Sequence, residues 1–384
     1  MFVKLLRNTN CNRTFFKIKS VLHKNYKNRI FEITSFASLQ LAVRFTMTRL
    51  TLFGLTLIVV VLSNVALGLL SPKLKKYSVD PKSVTVSGIS SGGAMSSQFH
   101  YIYSNEVKGA GIFAAGPYLC AYEGVGAASV CMMTPALENL PAYIAQADKY
   151  SAEGKIAPTS NLAASKVYIF HGSLDIVVQQ GSGKKLKEMY DHYGADVHAE
   201  FSIASGHGQP VNNGLGGPCA LTNPLTKFVN ECGYNGAYEM FKWLYGDSIV
   251  APAPGYRADG ELVTFDQSEF FPLLQPNSMA SKGFMYVPKR CKDGSKVCRF
   301  HIAFHGCMAN EQTIGRDYAT KSQYDDVAEL NDIVVLYPQT TVSFISPSAC
   351  WDWFGYTGKE TFATKSGAQP GGVYKMMKRV ITGA

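Results

Sequence analysis

Charge is scarce in this sequence: only 17% of its 384 residues are Asp, Glu, Lys or Arg. The little there is lies unevenly. Ten of the 37 basic residues but only one of the 28 acidic ones, Glu32, fall within 1–68, which leaves 27 of each sign in 69–384. A body without net charge lacks the basic field that a polyanion binder needs, so nucleic acid is excluded as its partner. Residues 69–384 also lack any Asn-x-Ser/Thr sequon, and no CxxC or Cys/His spacing of a zinc site occurs. A structural metal is therefore not expected. No internal repeat is evident. With 46% apolar residues, the chain has the composition of a folded globular protein.

The N-terminal stretch has the layout of an export signal. From Met47, MTRLTLFGLTLIVVVLSNVALG offers a short basic start, an apolar run, and small residues at Ala66 and Gly68. This predicts a signal peptide over 47–68, with cleavage after Gly68. The run from Leu50 to Leu70 is also about long enough to span a bilayer, so an uncleaved signal anchor is the alternative, and membrane attachment is expected only in that case. Lys73, Lys75 and Lys76 follow closely and favour cleavage. Residues 1–46 read as a basic N-terminal extension: a transit-like segment that is removed, or an untranslated stretch upstream of a start at Met47. A single catalytic domain is expected over 69–384.

Cysteine counting supports export. Of nine cysteines, Cys11 lies in the leader and the other eight are an even number. Local spacing suggests the pairs Cys120–Cys131, Cys219–Cys232 and Cys291–Cys298, with Cys307–Cys350 by elimination; free buried thiols are the other reading. The expected location is extracellular, or the lumen of the secretory or endolysosomal pathway.

Short β-rich runs alternate with helical ones through the body. SVTVSG, GAGIFAAG, KVYIFHG and VHAEFSI read as strands, separated by helical patterns that include PALENLPAYIAQADKY and GKKLKEMYDHYG. After a Pro/Gly/Ala-rich excursion at 251–261, CRFHIAFHG and DIVVLYPQ continue the strands and GGVYKMMKRVITG closes with a helix. Strand–helix alternation predicts a mostly parallel central sheet with helices on both faces.

Gly88-Ile89-Ser90-Ser91-Gly92 is a G-x-S-x-G placed between a β-branched strand and a helix. The flanking glycines let the backbone turn sharply and hold Ser90 as a nucleophile. Ser96 and Ser97 are expected on the surface of the helix. A serine hydroxyl needs a base, and the base an orienting acid. Asp175 and His207 each follow a strand, in the order Ser, acid, His that α/β-hydrolases use. Asp191 and Asp196 are most simply solvated, and His100, His192 and His198 structural.

Ester or amide hydrolysis further requires two N–H groups for the oxyanion. Ser91, after the nucleophile, supplies one. The other normally comes from a loop after an earlier strand, and no such strand precedes Ser90. The best candidate is His305-Gly306-Cys307, far downstream. Moving the strands RFHIAF and IVVLYP and the closing helix ahead of residue 74 restores the usual hydrolase order. The fold class expected is therefore a circularly permuted α/β-hydrolase, stabilised by disulfides.

The stretches YSVDPKSVTVSGISSGGAM, FAAGPYLCA, HGQP…CGYNGA, FHGC and CWDWFGYTG together resemble the single-domain polyhydroxybutyrate depolymerases, from about Leu74 to the C-terminus. The resemblance implies a secreted, permuted α/β-hydrolase with Ser90, Asp175 and His207 as triad and the N–H groups of Ser91 and Cys307 as oxyanion hole. It implies hydrolysis of poly(3-hydroxybutyrate) or its oligomers, with a polyester substrate, no cofactor and no obligate protein partner. The alternatives are a feruloyl or acetyl esterase of plant polysaccharide, and a non-catalytic, membrane-anchored hydrolase-fold binding domain. Trp351, Trp353 and His305 are the candidate substrate-binding residues, since flat apolar rings suit an uncharged polyester.

Overall fold

Five consecutive buried residues, Thr85–Ile89, form the first strand, β1. A strand with no polar face must be covered on both sides, which is the condition of a central strand in a parallel sheet. The computed structural model describes residues 71–222, 227–272 and 275–384. The basic extension 1–46 and the apolar segment 47–68 lie outside the described residues.

After β1 come α1 (Ser91–Ile102), β2 (Gly109–Phe113), α2 (Val125–Met133), α3 (Leu140–Ala152), β3 (Lys166–Phe170), α4 (Gln180–His192) and β4 (Asp196–Glu200). Three short strands follow, β5 (Gln209–Val211), β6 (Gly217–Pro218) and β7 (Val229–Glu231), then α5 (Gly236–Tyr245), β8 (Glu261–Asp266), β9 (Lys282–Val287) and β10 (Arg299–Phe304). The chain ends with α6 (Glu311–Ile314), α7 (Asp317–Lys321), α8 (Tyr324–Asn331), β11 (Ile333–Tyr337) and α9 (Ala368–Thr382). Side chains that satisfy free N–H groups fix two of the helix starts: Asn139 accepts from Ala142 N at α3, and Asn235 from Tyr238 N at α5.

The main sheet has eight strands in the order β4-β3-β2-β1-β10-β11-β9-β8. From β4 to β11 every neighbour is parallel, while β9 and β8 close one edge antiparallel. The permutation is visible in the pairing of β1 with β10, where Thr85 lies opposite His301 and Gly88 opposite Phe304. The strand that carries the His305-Gly306-Cys307 loop thus neighbours the strand that carries Ser90, although it is made much later in the chain. The β8–β9 hairpin, which the sequence reading missed, follows the excursion at 251–260 and returns the chain to the same sheet.

One face of the sheet, including Val86, Ala110, Val167 and Ile302, packs with Phe99 of α1, Ala147 of α3, Met189 of α4 and Met376 of α9. The other, with Phe113, Tyr168, Ala303 and Val335, packs against Phe241 of α5 and Val327 of α8. Each large apolar side chain buried this way contributes about 1.5–3 kcal/mol. Helix α1 is buried on nearly all sides, which corrects the expected placement of Ser96 and Ser97. Both are fully buried; Ser96 Oγ donates to Gly111 O at 3.3 Å, and Ser97 Oγ lies 3.4 Å from Tyr190 Oη. A helix covered by a sheet on one side and by other elements on the other has no solvent face for its serines.

The crossing from β1 to α1 is tight enough to exclude any side chain. A Cβ at Gly88 would lie 2.2 Å from Gly92 O, and one at Gly92 would lie 2.3 Å from the carbonyl oxygens of both Phe304 and His305. Gly92→Ala is expected to force α1 away from β10 and to cost about 1–3 kcal/mol or more. The check is thermal denaturation, with a Tm several degrees below the parent; an unchanged Tm would show that the crossing can relax.

Candidate active site

Ser90 sits between β1 and α1 with φ 58° and ψ −124°, a backbone conformation that non-glycine residues rarely adopt. It is held there because Ser90 N donates to Phe113 O of β2 at 2.9 Å, while the next turn already belongs to α1, where Ala94 N bonds Ser90 O. Two glycines make this turn possible, and the strain leaves the Ser90 side chain on the wall of a cavity of about 310 Å³.

Asp175 lies in the turn after β3 and His207 in the loop after β4. His207 Nδ1 is 2.7 Å from Asp175 Oδ2. The other carboxylate oxygen, Oδ1, accepts from Val177 N and Val178 N, both at 2.9 Å. Burial opposes the charge on Asp175, but the hydrogen bond from His207, the electrostatic pull of the His207 and His171 rings and the Val178 N–H outweigh it and hold the carboxyl below its ordinary value. An ionised Asp175 requires a donor at His207 Nδ1, which leaves Nε2 free to accept a proton. His207 and Ser90 line the same cavity.

Ser91 and Cys307 also line the cavity. Among the described residues, neither Ser91 N nor Cys307 N donates to a protein acceptor, while the neighbouring Met308 N donates to Ser348 O at 2.8 Å. Two free donors beside a serine form an anion site.

Of the three expected substrate-contacting residues, the structure puts one on the cavity. Trp353 is half-buried and lines it. Trp351 and His305 do not; both are fully buried. Trp351 packs edge-on against Phe304 with ring centroids 5.0 Å apart, and its backbone N–H donates to Ser91 Oγ at 3.3 Å. His305 Nδ1 donates to Gly306 O at 2.7 Å, and Nε2 accepts from Thr340 N at 3.2 Å. Burial pushes its pKa down to about 4, so the ring is neutral. The Gly306 carbonyl shares a peptide plane with Cys307 N, so fixing the carbonyl also fixes the direction of that N–H. These two residues therefore brace the site from behind.

Four disulfides join Cys120 to Cys131, Cys219 to Cys232, Cys291 to Cys298 and Cys307 to Cys350. The last ties the loop after β10 to the aromatic stretch 350–356. That stretch is organised by Asp352, whose carboxylate accepts from Gly355 N, Tyr356 N and Thr357 N at 2.7–3.0 Å. Sequence reasoning missed Asp352; the signal was an aspartate three residues before a glycine, the pattern of a carboxylate folding the chain around itself. It also missed the apolar lining: Ile89, Met132, Val177, Val178, Phe228 and Met308. Among the described residues the lining contains no Lys, Arg, Asp or Glu. Cys120, Cys131 and Glu138 have ligand atoms close together, but both sulfurs are in a disulfide and hold no free thiolate for a metal.

A parallel sheet with a serine at its strand–helix elbow and an Asp–His pair after the following strands is the architecture of the α/β-hydrolases. No family model matches the chain. It is 35% identical over 318 residues to the poly(3-hydroxybutyrate) depolymerase of Delftia acidovorans, a match that takes in 81% of this chain and 62% of that protein's length. It is 30% identical over 326 residues to the polyhydroxybutyrate depolymerase of Talaromyces funiculosus, covering 81% of this chain and 93% of the relative. Among solved structures, a PHB depolymerase complexed with an R3HB trimer matches with a TM-score of 0.74 and 29% identity, over 81% of this chain and 99% of its own. The crystal structure of PHB depolymerase from Penicillium funiculosum gives 0.73 and 30% over the same shares. The chain belongs to the polyhydroxybutyrate depolymerase family.

Two predictions concern the walls of the site. Replacing Cys307 and Cys350 together by serine should lower kcat about 10-fold or more through a looser 305–307 loop, with a smaller change in KM; steady-state kinetics checks it. The second concerns Glu138, whose carboxyl lies near Cys131 of the wall. Its Oε1 accepts from Ser182 Oγ at 3.0 Å while Oε2 has no partner, and burial raises its pKa from 4.5 to about 8. Below pH 4.5 the folded and unfolded carboxyls are both protonated. Between 4.5 and about 8 only the unfolded one ionises, so the folded state loses stability as pH rises. Glu138→Gln removes that loss, and its Tm relative to the parent should increase from pH 5 to pH 8.

Proposed function

We propose that the protein is a serine esterase acting on poly(3-hydroxybutyrate) or its oligomers. The observation that carries the reading is the convergence on one apolar cavity of a strained serine, an Asp–His pair and two free N–H donors. Ser90 Oγ attacks the ester carbonyl while His207 Nε2 takes its proton. The oxyanion is bound by Ser91 N and Cys307 N. As the tetrahedral intermediate collapses, His207 returns the proton to the alkoxide that leaves as the hydroxyl end. His207 then deprotonates a water that attacks the acyl-enzyme, and as the second tetrahedral intermediate collapses His207 returns that proton to Ser90 Oγ, whose bond to the acyl carbon breaks and releases the 3-hydroxy acid. Every proton is returned, and no cofactor takes part.

The cavity supports a neutral aliphatic acyl group, since Ala94, Ala114, Ala115, Val177 and Val178 line it and no charged side chain does. The R3HB trimer bound by the neighbouring depolymerase supports the same substrate class. Trp353, on the cavity wall, is the aromatic expected to lie along the chain. Four disulfides support a secreted protein or one of the secretory lumen, and no helix among the described residues is long and apolar enough to cross a membrane.

The test is Ser90→Ala, which should remove at least about 10³-fold of the turnover of p-nitrophenyl butyrate while the thermal transition stays near that of the parent. Rates on polyhydroxybutyrate film, 3-hydroxybutyrate oligomers and feruloyl esters then rank the substrates. Retained turnover in Ser90→Ala would refute the nucleophile, and a preference for feruloyl esters would refute the polyester.

A further inference from the structure

The first residue after β3, His171, is not used in the acyl-transfer steps, yet it lies against the acid that orients the base. Its ring is fully buried. Nε2 is 2.7 Å from Val178 O, and since a carbonyl can only accept, Nε2 carries the proton. The same nitrogen is 3.6 Å from Asp175 Oδ2, the oxygen that His207 Nδ1 contacts at 2.7 Å. Asp175 Oδ1 in turn accepts from Val178 N at 2.9 Å. Val178 is therefore held at both ends, its N–H by the acid and its carbonyl by His171, and its side chain forms part of the cavity wall.

The ring is clamped from its far side as well. A Cβ on Gly183 of α4 would fall 2.4 Å from His171 Nδ1, so α4 approaches the imidazole more closely than any other residue type there would allow. Nδ1 has no hydrogen-bond partner among the described residues. A buried neutral imidazole with one nitrogen against a helix backbone and the other donating into a turn has one orientation available. The chain around it is tied by Gln180 Nε2, which donates to His171 O at 3.0 Å and to Phe201 O at 2.8 Å.

We infer that His171 is a positioning residue for ester hydrolysis: its Nε2–H locks the 175–178 turn so that Asp175 Oδ2 stays aimed at His207. This rests on the esterase reading above. The partial positive charge at Nε2–H also faces the carboxylate that must stay ionised when His207 takes the serine proton. Asp175 and His207 are the titratable groups that act on this ring, and Asp175 favours a charged imidazole. Burial nonetheless wins and lowers the pKa of His171, so the ring stays a neutral donor and does not compete with His207 for the proton.

Three proteins test this: the parent, His171→Gln and His171→Leu. Glutamine puts an N–H donor near the position of Nε2, while leucine fills the space and cannot donate. On p-nitrophenyl butyrate, His171→Leu should lose about 10- to 100-fold in kcat with KM within about twofold, and His171→Gln should recover most of that loss. The second readout does not depend on turnover. Proton NMR of the parent should show a downfield proton between His207 and Asp175, which should shift or broaden in His171→Leu and persist in His171→Gln. A leucine variant with parental kcat and an unchanged downfield proton overturns the inference, as does a glutamine variant as impaired as the leucine one in both readouts. An inactive parent that still shows the proton refutes the esterase reading instead, and the NMR comparison then decides the role of His171 alone.

Discussion

The parallel pairing of β1 with β10 is the constraint on which the rest of the site depends. Its backbone hydrogen bonds set Gly88 opposite Phe304, and this register puts the residue after β1 beside the loop after β10. A shift of one residue would turn every side chain of β1 to the wrong face. It would also carry the free N–H of Cys307 away from Ser90 by about 3.3 Å, more than an oxyanion contact tolerates. The two glycines at the crossing exist because this register brings the backbone of α1 onto the carbonyls of β10.

Around that pairing, neutral histidines do structural tasks that charge would spoil. His301 bridges Thr85 and Ser87 of β1 at 2.7 Å each, pinning the strands side by side, and burial drives its pKa down to about 3. His305 fixes the peptide that ends in Cys307 N. His171 holds the turn of the acid. An imidazole in low dielectric gives up its charge unless a partner restores it. His207, with the Asp175 carboxylate at 2.7 Å, is the one of these four placed against both the acid and the cavity.

Much of this was legible in the sequence because the relevant features are local. A G-x-S-x-G between a β-branched run and a helix can form few other turns, and Asp175 and His207 stand directly after recognisable strands. The permutation was legible for a different reason: the one His-Gly-Cys stretch lay at the wrong end of a chain that otherwise read in hydrolase order. What escaped was direction. Trp351 and Trp353 differ by two residues in an irregular loop, and nothing in their identity says that Asp352 will wrap the chain so that only Trp353 meets the cavity. Ser96 and Ser97 read as surface because a helix with small polar residues normally has a wet side. The wall residues Met132 and Phe228 come from segments distant in sequence, and tertiary packing alone brings them together.

The displaced strand order also governs how the chain can fold. The strand β1, which leads into Ser90, leaves the ribosome first, whereas its neighbour β10 follows more than two hundred residues later. Until then β1 has one unpaired edge, and its serine lacks the Cys307 half of the anion site. Contacts of such sequence separation are closed late and slowly. A chain not yet extended to β10 carries an open strand edge of the kind that invites association with other chains. The wall around Ser90 is therefore assembled only once β10 has joined the sheet beside β1.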